Sequence, residues 1–428
     1  MSDESFLDAL ETRAPEEREA ALFARFDERL AAATARLPGL ATQLDGHDVG
    51  AVASRADLAR LPVLRKDALM AAQRDAPPYG GFVDTAALGG TRAFMSPGPV
   101  FEVQRPGADP WESARALHAA GFRPGTLVHN AFSYHLTPGG FILDEGALAL
   151  GCTVFPAGVG NTAMQVEAIR RFRPGGWTGT PDYLRTLLDH AIEDGGPLDS
   201  IRVALVSGGA LFPALREGYR EAGIAVLQCY ATADAGVIAY ETADEHGTAH
   251  PGMVVSEGLV VEICHPGGGE PVGPGERGEV IVTRLDPPGA DGRLASPVAP
   301  LVRFATGDLS AFLDEPSPCG RSNARLAGWL GRADQRTKVR GMFVDPAQVQ
   351  SVRAAHGEVE RLRLVVSRDG ARDVMTLRAA LRSGSDAEAM ATALEASLAR
   401  ETGIGGTVEI VDTLPGDGIV VEDLRDYD

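Results

Sequence analysis

The spacing of hydrophobic and polar positions changes along the chain and divides it into regions of different predicted structure. From about Phe6 to Leu40, leucine, phenylalanine and alanine recur every three or four residues among many charges. This spacing predicts helices over residues 1–40. Proline and glycine are then frequent from Pro77 to Pro110, and this composition predicts loops.

Short apolar segments alternate with helical ones over about residues 125–235. The predicted strands are Thr126–Phe132, Cys152–Pro156, Trp177–Thr180, Ile201–Ser207 and Ile224–Cys229, and the predicted helices are Gly140–Leu150, Met164–Phe172, Tyr183–Ile192 and Pro213–Glu221. This alternation predicts a parallel sheet with right-handed crossovers. Because ligands bind beyond the carboxyl ends of such strands, we expect one crevice to be surrounded by Ser133–Thr137, Gly158–Asn161, Ser207–Ala210 and Tyr230–Asp234.

The pattern becomes β-rich over about residues 257–330, which predicts a small barrel or sheet. The strand-like segments are Leu259–Ile263, Glu279–Arg284, Leu301–Phe304 and Leu309–Leu313. From about Gly331 an α+β order follows, of a length usual for a separate domain. The predicted fold class is therefore α/β. A large N-terminal domain (1–332) has parallel sheet layers flanked by helices and a small β-barrel-like part, and a mobile α+β lid domain (333–428) follows it.

Composition and charge exclude several classes of function. The chain has 428 residues, of which 44% are hydrophobic and 23% charged, as in ordinary globular proteins. No run of about 18 apolar residues occurs, and Met1–Leu10 lacks the features of a secretory signal, so we expect a cytoplasmic protein without a membrane span. The net charge of −19 argues against nucleic acid and anionic lipid as partners.

Cysteine and lysine are both rare in this chain. The four cysteines contain no CxxC pair, and we expect no zinc, because Cys319 with His246 or His250 falls short of a four-ligand set. Of the 40 basic side chains only Lys66 and Lys338 are lysines. Any chemistry that needs an ammonium group must therefore use one of these two positions.

Two motifs carry candidate chemistry. Arg303–Leu309 reads R-F-A-T-G-D-L and combines a cation, a Thr-Gly turn and a carboxylate that can accept hydrogen bonds from a ribose diol. The same residues, taken alone, also fit a β-turn with a capping aspartate. Gly331–Asp334 reads G-R-A-D and is followed by Lys338–Gly341 and Pro346. That block, taken alone, also fits an interdomain linker with solvated charges.

Together the two motifs resemble those of the phenylacetate–coenzyme A ligase branch of the adenylate-forming superfamily. Members of this branch have R-Y/F-x-T-G-D-L followed by G-R-x-D-D and R-G-x-x-x-x-P. The resemblance covers essentially the whole chain in order, through Asn130–Tyr134, Gly139–Gly140, Leu150–Gly151, Pro156, Gly158, Gly160–Thr162, Gln165, Thr180–Tyr183, Val261–Ile263, Glu270–Val272 and Gly278–Glu279.

The resemblance implies an enzyme that joins AMP to a carboxylic acid and then passes the acyl group to coenzyme A. By the same resemblance, Asp308 would hold the ribose hydroxyls and Arg332 would approach the ribose or phosphate. Tyr230 would pack against adenine, and Asp234 would stand where relatives have the Mg²⁺-binding glutamate, one methylene shorter. The adenine-side loop would consist of Gly208, Gly209 and Ala210.

The resemblance also implies roles in the small domain and in the acyl pocket. Asp334 would be the hinge about which the small domain rotates between the two half-reactions. The coenzyme A side of that domain would include Arg340 and Gly341. The acyl pocket would be lined by Phe132, Tyr134 and His135.

The phosphate loop departs from the family pattern. Relatives have a loop rich in Ser, Thr and Gly that ends in lysine and clamps the ATP phosphates. Here the segment is Phe94–Val100, with prolines at positions 97 and 99 and no lysine after it. Because proline lacks a backbone N–H, only Ser96 and the Gly98 amide stay candidate phosphate ligands. As a sequence, the segment is more typical of a rigid turn.

Other catalytic positions depart as well. The family's C-terminal P-x-x-x-G-K motif corresponds to Leu414–Val420, which contains no lysine. Losing a cation on the α-phosphate is expected to slow adenylation by orders of magnitude. In addition, Ala233 stands where relatives have a hydroxyl, and Ala210 stands where they have a glutamate.

The sequence leaves several functions open. The first is an AMP-forming ligase that joins an aryl or related organic acid to coenzyme A, using ATP and Mg²⁺. An alternative is a catalytically impaired homologue that binds AMP, acyl-adenylate or a coenzyme A thioester without ATP-dependent adenylation. A third is a structural or partner-binding role on an inherited fold. Dimerisation is common in such enzymes, so a homodimer is possible, but the sequence identifies neither the acid, the thiol acceptor nor the oligomeric state.

Overall fold

The structure is a computed structural model of the chain. It describes residues 5–96, 99–285, 297–333, 335, 337–340, 342–369, 372–382, 384, 386–416 and 419–425. The chain divides into two compact units, Met1–Leu330 and Gly331–Asp428. Each unit is described by itself below.

The first unit begins with short helices, as the spacing of apolar residues predicts. They are α1 (Pro15–Phe23), α2 (Phe26–Arg36), α3 (Pro38–Gln43), α4 (Arg55–Leu58) and α5 (Lys66–Asp75). Proline at the first helical turn begins both α1 and α3, where its missing N–H costs nothing. The apolar face of α2, with Phe26 and Leu30, is buried against Val260 and Val302 of the β-rich part.

A tight hairpin follows the loops of the Pro/Gly-rich segment. Its strands are β1 (Ala93–Ser96) and β2 (Val100–Val103). They pair antiparallel from Ala93 opposite Val103 to Ser96 opposite Val100. The hairpin contains the segment for which the sequence predicts the position of the family's phosphate loop, and this correspondence stays a prediction.

The central layer is a nine-stranded sheet with the order β13-β14-β9-β8-β7-β6-β5-β3-β4. Strands β3 to β7 are parallel, as the strand–helix alternation predicts, whereas β8, β9, β13 and β14 extend the sheet antiparallel. Its strands are β3 (Leu127–Asn130), β4 (Thr153–Pro156), β5 (Gly176–Gly179), β6 (Val203–Val206), β7 (Ala225–Thr232), β8 (Gly236–Tyr240), β9 (Met253–Val255), β13 (Phe312–Leu313) and β14 (Arg325–Leu326).

Helices connect the parallel strands of this sheet and complete its hydrophobic cores. They are α6 (Ser113–Ala119), α7 (Gly139–Ala149), α8 (Thr162–Phe172), α9 (Pro181–Glu193) and α10 (Pro213–Glu221). One core cluster contains Leu117 of α6, Val128 of β3, Ile142 of α7 and Leu227 of β7. The other lies around the fully buried Trp177 of β5.

The β-rich part is a three-stranded antiparallel sheet of β10 (Val260–Cys264), β11 (Gly278–Arg284) and β12 (Leu301–Ser310). The interpretation of Thr306–Asp308 as a turn between two strands is wrong, because β12 runs through these residues. The pairing of β11 with β12 jumps from Glu279–Leu309 to Ile281–Ala305, so the extra residues of β12 form a bulge. Within this bulge Gly307 has φ of 75°, a conformation that favours glycine.

The second unit is an α+β structure with its own core. Its strands are β15 (Thr337–Val339), β16 (Met342–Val344), β17 (Val359–Asp369), β18 (Arg372–Leu381), β19 (Thr407–Val411) and β20 (Val421–Asp423), and its helices are α11 (Pro346–Ala354) and α12 (Ala387–Thr402). Four strands form a mixed sheet in the order β19-β18-β17-β20. A capping box of Asp345 and Gln348 begins α11.

Within the described residues, none of the helices combines the length and the apolar character needed to cross a membrane.

Candidate active site

The Asp308 carboxylate lies on the β12 bulge and is held from two directions. The Tyr230 hydroxyl donates a hydrogen bond to Oδ2 over 2.8 Å, and Nε1 of Trp329 donates one to Oδ1 over 3.0 Å. Asp308 is buried at 7% exposure. These two hydrogen bonds hold both carboxylate oxygens in a fixed orientation.

The Thr306 side chain explains why the bulge presents Asp308 in this way. Its hydroxyl donates to the Val280 carbonyl over 2.9 Å and accepts the Asp308 backbone N–H over 3.1 Å. Thr306 therefore joins the bulge to the neighbouring strand β11. The T-G-D sequence thus has a structural role, which is to join two strands, in addition to any contact with a ligand.

Arg303, the cation of the same motif, serves the fold. It is 2% exposed, and its guanidinium forms two hydrogen bonds with the Glu262 carboxylate, over 3.0 and 3.1 Å. It also donates to the carbonyl oxygens of Ala59 and Leu61. Arg303 therefore links the N-terminal helices to the β10–β12 sheet.

The loop Gly208–Ala210 follows β6, at the carboxyl end of the parallel strands. Its Gly208 has φ of 72°, and the Gly209 carbonyl accepts a hydrogen bond from the Gln228 side chain over 3.3 Å. Next to it, the Ser207 hydroxyl donates to the Cys229 carbonyl over 2.8 Å. The loop therefore follows β6, and Tyr230 lies on the adjacent strand β7.

Tyr134 contacts helix α7. Its hydroxyl donates to Asp144 over 3.0 Å and accepts from the Asn130 amide over 2.7 Å. Burial, together with the Asp144 carboxylate, raises the pKa of Tyr134. A Cβ atom at Gly140 would lie 2.9 Å from the tyrosine ring, so this glycine permits the contact. The side chain is therefore held in place by two polar groups and a close glycine.

The other two candidate acyl-pocket residues lie on the same segment between β3 and α7. Phe132 is half-buried and packs against the core around β3, whereas His135 is exposed. Leu136, the next residue, accepts a hydrogen bond at its carbonyl from the Met95 N–H of the hairpin. The segment is thereby joined to the hairpin at the phosphate-loop position. An acyl-pocket role for these residues stays a prediction.

The phosphate end of the site contains an additional carboxylate, Glu102. Ser96 is buried, and its hydroxyl donates to the Val100 carbonyl over 3.4 Å, within the hairpin. Glu102 on β2 is half-buried as a residue, but its Oε1 atom is buried and has no hydrogen-bond partner in the described part of the chain. Burial, and then the nearby Asp234 carboxylate, raise the pKa of Glu102 to about 8, whereas Lys66, the Ser96 hydroxyl and Arg105 act in the opposite direction.

Asp234 follows β7 in the turn to β8 and pairs with a lysine. Its side chain is 7% exposed, and its Oδ2 atom lies 3.6 Å from Nζ of Lys66, the first residue of α5. The Thr232 hydroxyl accepts the Ala235 N–H over 3.1 Å and shapes the same turn. Lys66, Asp234 and Glu102 thus form a charged cluster, which we call the phosphate-end cluster.

The remaining candidates belong to the second unit or lie outside the described residues. Arg340 donates its backbone N–H to the Asp373 carboxylate over 3.1 Å, and its guanidinium donates to the Gly405 carbonyl over 3.2 Å. Arg332 is half-buried at the start of this unit. Residues outside the description are Gly98, Asp334 and Gly341.

Within the described ranges, no three or more acidic, histidine or cysteine side chains are arranged to enclose a metal ion. The Cys319 thiol lies 3.1 Å from the Ser317 hydroxyl and 3.5 Å from an Arg321 nitrogen. The absence of zinc stays a prediction.

Sequence reasoning missed three residues of the site: Trp329, Lys66 and Glu102. Trp329 is three residues before Arg332, so an aromatic residue just ahead of that motif was an available signal. Lys66 was noted as one of two lysines, but nothing in the sequence pairs it with Asp234. Glu102 has no signal in the sequence, because its burial depends on the hairpin and on the β7–β8 turn.

Known proteins resemble this chain in sequence and in fold. The sequence profile of the family described as AMP-binding enzyme matches residues 135–285. A phenylacetate-coenzyme A ligase of Thermus thermophilus is 34% identical over 271 residues, which are 62% of this chain and 58% of that protein. A phenylacetate-coenzyme A ligase of Aromatoleum evansii is 29% identical over 377 residues, covering 83% of this chain and 81% of that protein. The matched stretch thus spans less than two thirds of the Thermus protein.

The fold is that of a solved acyl-coenzyme A ligase. A 2-hydroxyisobutyryl-CoA ligase in complex with 2-HIB-AMP and CoA superimposes with a TM-score of 0.77, at 24% identity, over 100% of this chain and 96% of that one. At this identity the likeness shows the fold alone. The class follows from the family profile and the curated relatives. The chain belongs to the adenylate-forming superfamily, in its phenylacetate–coenzyme A ligase-like branch. Within this class it differs at the phosphate loop and lacks the C-terminal lysine of the family motif.

Proposed function

We propose that this protein is an AMP-forming ligase that joins an aryl or related carboxylic acid to coenzyme A through an acyl-adenylate. The observation that carries the proposal is the buried Asp308 carboxylate, held by Tyr230 and Trp329 on a strand bulge. A ribose diol can donate to both carboxylate oxygens at once. Few other ligands present two adjacent hydroxyl donors to one buried carboxylate.

The reaction needs a nucleotide because a carboxylate is a poor electrophile whose leaving group would be oxide. Joining AMP to the acid provides a good leaving group, and the coenzyme A thiolate then attacks the acyl carbon. Asp308 orients the ribose for this chemistry, with Tyr230 and Gly208–Ala210 beside the adenine. A fixed ribose places the α-phosphate close to the bound acid and lowers the entropic part of the barrier.

The phosphate end must neutralise charge that develops on the α-phosphate. Asp234 is the proposed Mg²⁺ ligand, and its carboxylate fits a cation that prefers oxygen ligands. When bound, Mg²⁺ would supply the positive charge that the triphosphate requires. Lys66 is the only lysine of the first unit, and its position at Asp234 makes it the nearest ammonium group for the same purpose.

The second unit is proposed to act in the second half-reaction. Arg332 would approach the nucleotide, and Asp334 would be the hinge of a mobile domain. Arg340 and Gly341 would lie on the coenzyme A side, and the acid would bind among Phe132, Tyr134 and His135. The cytoplasmic location and the possible homodimer stay predictions.

The test is acid-dependent release of pyrophosphate from ATP, measured with Mg²⁺ and coenzyme A over a panel of aromatic and short hydroxylated acids. We expect one structural class of acid to stimulate release above the acid-free rate. Thioester formation, followed by the loss of free thiol, should show the same preference among the acids.

The alternative is a homologue that binds AMP or an acyl-adenylate without forming it. The observation that favours it is the absence of lysine from Leu414–Val420 and from the hairpin. If no acid stimulates pyrophosphate release while calorimetry detects AMP binding, the ligase proposal is wrong and the alternative is supported. If neither AMP nor coenzyme A binds, both proposals fail.

A further inference from the structure

Helix α8 carries large apolar side chains that no described part of the chain covers. Met164 is 73% exposed and Phe172 is 58% exposed, near the two ends of the helix. Ala168 lies midway between them and is half-buried. Because residues spaced four apart follow one ridge of a helix, the three side chains form a row along its outer side, which we call the α8 stripe.

The apolar surface continues from the α8 stripe onto the edge of the central sheet. The ring of Phe172 lies 5.0 Å from that of Phe155, a half-buried residue of β4. β4 is the last strand in the order of the nine-stranded sheet, and its four residues, Thr153–Pro156, carry no charge. Proteins normally cover an uncharged sheet edge beside exposed aromatic rings, because such a surface otherwise associates with other chains.

Two charges of opposite sign flank the α8 stripe. Glu167 and Arg171 are both exposed, and they pair with each other over 2.6 Å. If a second copy of α8 lies antiparallel across the first, Arg171 of one copy is brought to the side of Glu167 of the other.

The same antiparallel arrangement brings the two large side chains of the stripe together. Met164 of one copy then meets Phe172 of the other, and a methionine sulfur packs favourably against an aromatic ring. The small Ala168 at the centre lets the two helix backbones approach closely. The α8 stripe is therefore complementary to itself under a two-fold rotation, as the interface of a symmetric dimer must be.

We propose that α8 is the interface of a homodimer, in which two copies of the chain pack their α8 stripes antiparallel about a two-fold axis near Ala168. Charge favours a second copy over other partners. The net charge of −19 opposes docking on an anionic membrane, whereas the one acid and one base beside the stripe match those of a second copy. The inference goes beyond the proposed ligase function and does not depend on it, because association needs neither ATP nor an acid.

The first test is sedimentation velocity of the full chain over a series of protein concentrations. We expect the wild type to dimerise, and Phe172→Glu to weaken dimerisation about 100-fold or more, because the two-fold axis buries the new charge twice. Leu10→Glu is the matched control, because it makes the same kind of change at an exposed apolar residue of the N-terminal segment. It should dimerise as the wild type does.

The second test uses the two flanking charges. Glu167→Arg alone and Arg171→Glu alone should each weaken self-association several-fold, since like charges then face each other across the axis. An equimolar mixture of these two variants should form heterodimers more readily than either variant forms homodimers. This outcome is specific for contact of α8 with α8, because a stripe that met a different surface would gain nothing from mixing.

Thermal unfolding shows whether each variant is folded, and Met164→Glu replaces Phe172→Glu if the latter is not. The inference is wrong if the wild type stays monomeric over the whole concentration range, if folded Phe172→Glu dimerises like the wild type, or if mixing the charge variants restores nothing. Binding of monomeric wild type to vesicles of phosphatidylcholine would also overturn it, since a membrane would then take the place of the second copy. A dimer that releases no pyrophosphate would support the interface and contradict the ligase.

Discussion

The two ends of the candidate nucleotide site are built in opposite ways. At the ribose end, Asp308 receives hydrogen bonds from Tyr230 and Trp329, so its charge is balanced by donors from the fold. At the phosphate end, the Glu102 Oε1 atom is buried without a hydrogen-bond partner in the described part of the chain, and the neighbouring Asp234 carboxylate helps to raise the pKa of Glu102.

This difference shows which end the fold completes by itself. The Asp308 carboxylate is already held by hydrogen bonds from the protein, so it is oriented before a ribose binds. A carboxyl group that is buried beside a second carboxylate ionises only at a cost, because desolvation and the like charge oppose its ionisation. We therefore expect substitutions at the ribose end to change nucleotide affinity, and substitutions at the phosphate end to change the pH dependence of stability.

The largest expected effect is that of Asp308→Asn on AMP binding. The variant loses the charge of the ribose acceptor, and its NH2 group faces a donor from Tyr230 or Trp329. Because a hydrogen bond to a charged group contributes about 1.5–3 kcal/mol, AMP affinity measured by calorimetry should fall about 10- to 100-fold.

Asp314→Asn is the control for this experiment, because it makes the same change at an exposed position a few residues along the chain. It should leave AMP affinity unchanged. If a folded Asp308→Asn protein binds AMP like the wild type, Asp308 is not part of the nucleotide site. The contrast between the ribose end and the phosphate end is then wrong.

An intermediate effect is expected from Glu102 on the pH dependence of stability. In the folded chain its pKa is raised to about 8 from an ordinary value of 4.5, so the folded state holds this proton more tightly than the unfolded state. Its contribution to folding is therefore most favourable below about pH 4.5, declines as pH rises toward 8, and is constant above. Relative to Glu102→Gln, chelator-treated wild type should lose roughly 3–4 kcal/mol between about pH 5 and pH 8.

The measurement is urea unfolding of both proteins across this pH range, with the difference taken at each pH. Only the change of the unfolding free energy with pH is compared between the two proteins. The constant effect of placing an amide in the hairpin therefore cancels. Parallel pH curves for the two proteins would mean that Glu102 is ordinarily solvated, and the contrast between the two ends would then disappear.

The smallest expected effect is that of Trp329→Phe, which removes one of the two donors to Asp308. Because Tyr230 still holds the carboxylate, we expect AMP affinity to fall only about 5-fold, which corresponds to about 1 kcal/mol. Of the three tryptophans, Trp111 and Trp177 are buried in the core and Trp329 is half-buried at the site. An AMP-induced change in tryptophan fluorescence should therefore be present in the wild type and lost in this variant; a change that persists would place AMP elsewhere.

Much of the fold was predictable because its causes are local in sequence. The alternation of apolar and amphipathic segments between residues 125 and 235 predicted the parallel strands, and β3 to β7 are parallel as expected. The interpretation of the T-G-D residues as a turn was wrong for a non-local reason. A bulge inside β12 depends on the hydrogen bond from Thr306 to Val280 of another strand.

The sequence by itself determined the class of the protein and the counts that constrain its chemistry. The R-F-A-T-G-D-L and G-R-A-D motifs identified the adenylate-forming family, and the two lysines limited where an ammonium group can act. Only the tertiary structure decided that Trp329 holds Asp308, that Arg303 is a buried structural cation, and that Lys66 meets Asp234. These contacts join residues 21, 41 and 168 positions apart. Their charges and hydrogen bonds act through space, so no pattern of neighbouring residues could reveal them.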